Sequence, residues 1–139
     1  MKRQIASVIG VFVLLMVAAC ANAQNLNVKA SVPFDFVVNK AALPAGAYNI
    51  ESMSSAGSST LLIRGAQTQM VVLPNNARSL NPSPDTRLVF HRYGSQYFLS
   101  QIWTQGEAAG RQLRISRREA EMAKNIQRSE DVIVLAALR

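Results

Sequence analysis

Cysteine occurs once in the 139 residues, at position 20, and histidine and tryptophan also occur once each, as His91 and Trp103. One thiol closes no intramolecular disulfide, and a single imidazole falls short of the several His and Cys ligands that a zinc site takes. Acidic residues are few, eight against fifteen Lys and Arg. After Gln24 no apolar run approaches the roughly 20 residues that span a bilayer. No repeat of about 20 to 50 residues recurs, which argues against a propeller or solenoid. Neither serine near His91 lies in a G-x-S-x-G frame, and Gly106 to Gly110 lacks the spacing and Lys-Ser/Thr ending of a phosphate loop. Leu43-Pro44-Ala45-Gly46 lacks the threonine and the following apolar tail of a sortase signal, so it reads as a turn. No cofactor or metal motif is left to consider.

What the chain does have begins at its start. Lys2 and Arg3 precede an apolar run from Ile5 to Ala19, followed by Cys20-Ala21-Asn22-Ala23-Gln24. This is the charge, apolar core and small-residue exit of an export signal, and it predicts residues 1–23 as a signal peptide and an extracytoplasmic address. Two cleavage patterns overlap. Ala21-Asn22-Ala23 fits ordinary signal peptidase and would release a free chain at Gln24. Val17-Ala18-Ala19-Cys20 fits a lipobox and would leave Cys20 lipidated, anchoring the protein to a membrane. The first is the preferred reading and the second stays open.

From Gln24 the remaining 116 residues suit one β-rich domain, 24–139, with thirteen basic residues against eight acidic, a balance of +5. Outside the cytoplasm such an excess points to anionic polymers or surfaces, or serves solubility. Alternation of apolar and polar residues with β-branched and aromatic enrichment dominates the next hundred residues. Strands are predicted at Asn27 to Val32, at Phe34 to Val38 with Phe34, Phe36 and Val38 on one face, at Ala47 to Met53, Thr60 to Arg64 and Gln69 to Leu73. Ser54 to Ser59 reads as a flexible loop, and Pro74 to Asp85, rich in Pro and Asn, as the longest irregular one. Arg87 to Arg92 and Gln96 to Thr104 flank Tyr93-Gly94-Ser95 as a hairpin. Arg111 to Ile115 is a further short strand. Ser116-Arg117-Arg118-Glu119 has capping-box spacing and starts a helix with Ala120, Met122, Ala123 and Ile126 on its apolar side. Val132 to Ala137 is apolar without alternation, as in a strand covered on both faces. The fold class is mainly β: a small antiparallel β-sandwich or barrel with one short helix near the C-terminus.

Val32-Pro33-Phe34-Asp35-Phe36-Val37-Val38, Leu43-Pro44-Ala45-Gly46-Ala47-Tyr48, Leu88-Val89-Phe90-His91-Arg92-Tyr93-Gly94 and Tyr97-Phe98-Leu99-Ser100 carry a resemblance. With Ser116 to Glu119 they make the chain similar to a group of small exported β-rich proteins common in acidobacteria, over nearly all of the segment after Gln24. The resemblance implies a bacterial, extracytoplasmic β-domain. It supplies no activity and no site residues.

Four sets of residues could carry chemistry. His91 has Asp85, Ser95 and Ser100 nearby in sequence, the ingredients of a triad, although a structural histidine needs none of them. Asp35, Glu51, Asp85 and Glu107 lie in or beside the strands and could form the carboxylate pair of a small hydrolase, whereas Glu119, Glu121, Glu130 and Asp131 suit the helix and its exit. Arg111, Arg114, Arg117 and Arg118 place four guanidinium groups within eight residues, a patch able to grip phosphate or carboxylate, or to pair with Glu107, Glu119 and Glu121. By strict alternation Tyr97, Leu99, Gln101 and Trp103 share one strand face and Phe98 and Ile102 the other, so Tyr97 and Trp103 would form a stacking platform for a sugar or base. The expected function is a non-catalytic binding or interaction domain of the envelope or extracellular space, with an anionic polymer, a glycan or an envelope component as partner. A self-associating structural envelope protein and a small hydrolase are the alternatives.

Overall fold

The computed structural model describes residues 26–55, 58–125 and 129–138. Residues 1–23, expected to be a signal peptide, with Cys20, and Ile126 of the predicted helix, lie outside the described residues. The strands are β1 (Asn27–Val32), β2 (Phe36–Val38), β3 (Ala41–Leu43), β4 (Gly46–Ser55), β5 (Ser58–Arg64), β6 (Gln69–Val72), β7 (Asn75–Arg78), β8 (Arg87–Tyr93), β9 (Gln96–Trp103), β10 (Ala109–Gln112) and β11 (Glu130–Leu138), and one helix, α1 (Arg117–Asn125), precedes β11. All eleven strands join one hydrogen-bonded sheet in the order β3-β2-β9-β8-β11-β1-β4-β5-β6, with β10 beside β9 and β7 beside β10. The protein is mostly β with one short helix near the C-terminus, and its sheet is an open, curled half-barrel.

Alternation decides which side chains fill the curl. Val28, Val32, Phe36, Val38, Ile50 and Ile63 turn into the main core with Phe90 and Ile102. Phe34 packs against that core from the Pro33 bend, as its phase with Phe36 and Val38 predicts. Val37 points the other way, into a small outer cluster with Tyr93 and Phe98, on which Met122 of α1 rests. Positive φ marks the turns at Gly94 (62°) in the β8–β9 hairpin, at Asn39 (54°) between β2 and β3, and at Gly106 (81°) between β9 and β10. Glycine takes that conformation at no steric cost, and Asn tolerates it best among the rest.

Four sequence expectations are corrected. Of the loop expected over Ser54 to Ser59, residues 56 and 57 lie outside the described residues, and the other four are strand: β4 and β5 keep pairing out to Ser54↔Ser59 and Ser55↔Ser58, using backbone groups that any residue supplies. Pro74 to Asp85 contains β7, which pairs with β10 alone and so needs ladder hydrogen bonds on one side only. The short strand expected at Arg111 to Ile115 instead spans Ala109–Gln112. Finally, β11 does alternate. Val132, Val134 and Ala136 pack on the core, while Ile133 (51% exposed) and Leu135 (66%) face outward. Helix α1, nine residues long, docks over Phe98 and Tyr93.

β9 carries a bulge. Val89 pairs with Gln101 but Phe90 with Leu99, so Ser100 is the extra residue. A bulge shifts the alternation by one position, and everything before Ser100 on β9 is turned over relative to everything after it. Beyond the bulge Trp103 lies flat against Gly110, where an added Cβ would sit 2.7 Å from an indole carbon. Gly110→Ala is therefore expected to cost about 1–3 kcal/mol by overpacking. The check is thermal unfolding together with Trp103 emission, which should shift as the ring is displaced.

Candidate functional site

The outer face of β9, β8 and β11 carries Gln101, Trp103, Arg87, His91 and Asp131. Cross-strand register sets it out as a grid. Trp103, Arg87 and Leu135 form one row; Gln101, Val89 and Ile133 the next; Phe98, His91 and Asp131 the third. The segment Ser79 to Pro84 stands beside Trp103, Arg87, Gln101, Val89 and Ile133 of the first two rows, and together with Asp131 they line a groove of about 330 Å³. Small-ligand sites run from about 300 to 1,000 Å³, so the groove is of ligand size.

The wall of the groove is fixed in place by backbone bonds. Ser79 N–H donates to Ala108 O at 2.8 Å, Ser83 N–H to Glu107 O at 2.9 Å, and Gly106 N–H returns to Ser83 O at 2.9 Å. Ser83 Oγ donates to Asp85 O at 2.7 Å. Within the groove Trp103 Nε1 donates to Gln101 Oε1 at 2.9 Å. Arg87 Nε is ion-paired with Asp85 Oδ1 at 2.5 Å.

At the far end of the grid α1 contributes one buried carboxylate. Glu119, 4% exposed, accepts from His91 Nδ1 at 2.8 Å and from Tyr93 OH at 3.2 Å. His91 Nε2 faces Asp131 Oδ1 at 3.6 Å. The Glu119 hydrogen bond, opposed by burial and aided by the charges of Glu119 and Asp131, holds the His91 imidazole above its ordinary range. Burial, reinforced by Glu119, likewise pushes the Tyr93 hydroxyl up. The capping box is half realised. Glu119 N–H donates to Ser116 Oγ at 3.2 Å, but the Glu119 side chain goes to His91 and Tyr93.

The residues singled out from sequence fall in different places. Tyr97 and Trp103 form no joint platform, because the bulge puts them on opposite faces. Tyr97 stacks on Phe34 at 3.8 Å between centroids, beside the main core, with the Arg92 guanidinium 5.7 Å from its ring. Trp103 alone faces the groove. Arg111 is half-buried, its Nη1 donating to Asn76 Oδ1 at 3.4 Å, and Arg114, Arg117 and Arg118 are exposed. Among the described residues none of the four forms an ion pair.

The triad ingredients do not assemble around His91. Asp85 binds Arg87, and Glu119 and Asp131 occupy the two ring nitrogens' surroundings. Asp35 Oδ1 accepts from Ala45 N–H at 2.8 Å in a turn, and Glu51 Oε1 from Asn49 Nδ2 at 2.7 Å. Among the described residues no group of three His, Cys, Asp or Glu is placed to hold a metal, and no helix is long and apolar enough to cross a membrane.

Glu119 and the groove residues Asn81, Val89, Gln101, Asp131 and Ile133 were not legible as a site. One weak sign existed for Glu119: it stands one helical turn before Met122, on the side that packs. No protein-family model matches the chain, nor does any curated protein or solved structure.

Proposed function

We propose that the chain is an exported, non-catalytic binding domain that holds a component of the envelope or extracellular space in the outer groove. The observation that carries this reading is the groove itself: an aromatic and apolar floor of Trp103, Val89 and Ile133, polar groups from Asn81, Gln101, Arg87 and Asp131, and a wall already pinned by backbone bonds. A preformed site avoids the ordering cost that a mobile one pays on binding. Binding is favoured over hydrolysis because His91 faces two carboxylates instead of a hydroxyl, and Asp131 is the one carboxylate in the groove lining. Export rests on the charge and apolar pattern of residues 1–23.

The test uses chain purified after export from its producing cells. It should be retained by isolated envelope material without altering it, and Ile133→Arg, at an exposed position, should fold normally and weaken retention by roughly tenfold or more. Release of cleaved product would make the protein an enzyme. A second reading, self-association, is favoured by the edge strand β6, where Val71 is 55% exposed and its backbone is paired on one side only. Concentration-dependent assembly in sedimentation, unaffected by Ile133→Arg, would support that reading over the first.

A further inference from the structure

On the reading that the outer groove is the binding site, we infer that its ligand is a neutral saccharide, although the chain as a whole is strongly basic. The net charge of +7 directs attention to anions, but the groove does not share it. Its lining holds one cation, Arg87, and one carboxylate, Asp131, and Arg87 is already compensated by Asp85. None of Arg111, Arg114, Arg117 and Arg118 belongs to the lining. An anionic polymer would find no uncompensated positive charge there.

The polar groups that remain suit hydroxyls. Trp103 Nε1 can only donate, so the Gln101 oxygen is fixed toward it and the Gln101 amide N–H groups are turned away, free to donate to a ligand. The Asp131 carboxylate can only accept. A sugar hydroxyl satisfies both, since it donates and accepts at one atom. Between these groups the floor is Val89 and Ile133 with Trp103 at one corner, an apolar surface for the C–H face of a sugar ring. Three strands about 4.8 Å apart and two rows about 7 Å apart make the floor roughly 10 Å by 7 Å, with Asp131 one row further along β11, the footprint of about one ring. An extended peptide is poorly served. β8 and β11 are paired on both sides, so the floor has no free backbone groups for strand addition.

Trp103 is the sole tryptophan and stands in the site, so its fluorescence reports occupancy directly. The exported chain is titrated with neutral gluco-, manno-, galacto-, xylo- and N-acetylglucosamine oligosaccharides, and with dextran beside dextran sulfate, at low and high salt. The expected result is a saturable change in Trp103 emission with a neutral sugar, with a midpoint that salt leaves unmoved. Asn81→Ala, on the exposed wall, should raise that midpoint roughly tenfold while circular dichroism stays unchanged. A response to dextran sulfate alone, fading with salt, overturns the neutral-saccharide assignment and leaves the groove standing as a site. Calorimetric binding of a neutral sugar with Trp103 silent places the sugar elsewhere and also overturns it. If no probe moves Trp103 but Ile133→Arg still abolishes retention on envelope material, the saccharide falls and the groove survives. If Ile133→Arg changes nothing either, both fail.

Discussion

Phe90→Ala is expected to remove about 3–5 kcal/mol of folding stability, the largest loss from any single truncation in this core. Phe90 is fully buried and sits at the centre of an aromatic cluster. Phe34 meets it edge-on at 5.0 Å and Phe36 at 5.3 Å, and Phe36 meets Tyr48 at 5.1 Å in turn. Edge-to-face pairs contribute about 0.5–1.5 kcal/mol each beyond area burial, so truncation forfeits two of them as well as leaving a cavity. Backbone constraints make the cavity hard to close. Phe90 lies on a strand paired on both sides, directly at the β-bulge, where its neighbours' positions are set by two ladders. Against a total stability of about 5–15 kcal/mol, the loss leaves a marginal protein. Urea denaturation should show a lower midpoint with an unchanged slope, and Phe90→Leu, which fills part of the space, should lose only about 1–2 kcal/mol. Phe34→Ala, at the partly exposed rim, should cost about 1–2 kcal/mol as well. Equal small losses at positions 34 and 90 would mean that the cluster is not the centre of the core.

The same strand shows why the fold was more legible than the site. Leu88 and Phe90 on one face and His91 on the other follow from period-two alternation, which reflects only the geometry of a single extended chain. The hairpin with β9 was legible for the same reason, helped by Gly94. Alternation then misled at Ser100. One inserted residue turned Tyr97 away from Trp103, and nothing in the local residue types marks the position, since a bulge is set by the partner strand as much as by its own. The groove was out of reach for a related cause. Its floor combines β8, β9 and β11 in register, and β11 comes from the chain's far end. The outward placement of Ile133 and Leu135 depends on which part of the sheet α1 covers, a tertiary fact. The spacing from Ser116 places Glu119 in the first turn of α1 but aims its side chain at the Ser116 amide, whereas its actual partner His91 lies 28 positions away.

That pairing gives the protein a pH-dependent stability whose direction is fixed by the geometry. His91 on β8 is faced by Glu119 from α1 and Asp131 from β11, with Arg92 beside it ion-paired to Glu130 at 3.6 Å. Both groups facing the ring are acidic, and the Glu119 hydrogen bond dominates in holding the imidazole protonated above its ordinary range, against the opposing effect of burial. A histidine whose folded value is raised binds its proton more tightly folded than unfolded. Its contribution is therefore fully present below about pH 6.5, the unfolded value, and is lost as pH rises through the raised folded value. Unfolding free energy should fall as pH rises above about 6.5, where ordinary carboxylates are already ionised. His91→Gln and Glu119→Gln should each flatten that slope. Glu119→Gln should also lower stability at about pH 6 by roughly 1.5–3 kcal/mol, the range for a hydrogen bond to a charged group. The structural consequence is local. Glu119 and Met122 hold α1 to the sheet, at His91, Tyr93, Phe98 and Val37, so a neutral His91 should loosen the helix while the main core on the sheet's other face keeps its packing. Hydrogen exchange should accordingly show α1 amides opening more readily at about pH 9 than at pH 6, after correction for the intrinsic rate, with β1 and β4 amides unchanged. Uniform loss of protection across β1, β4 and α1 together would assign the pH dependence to the whole sheet instead of to this contact.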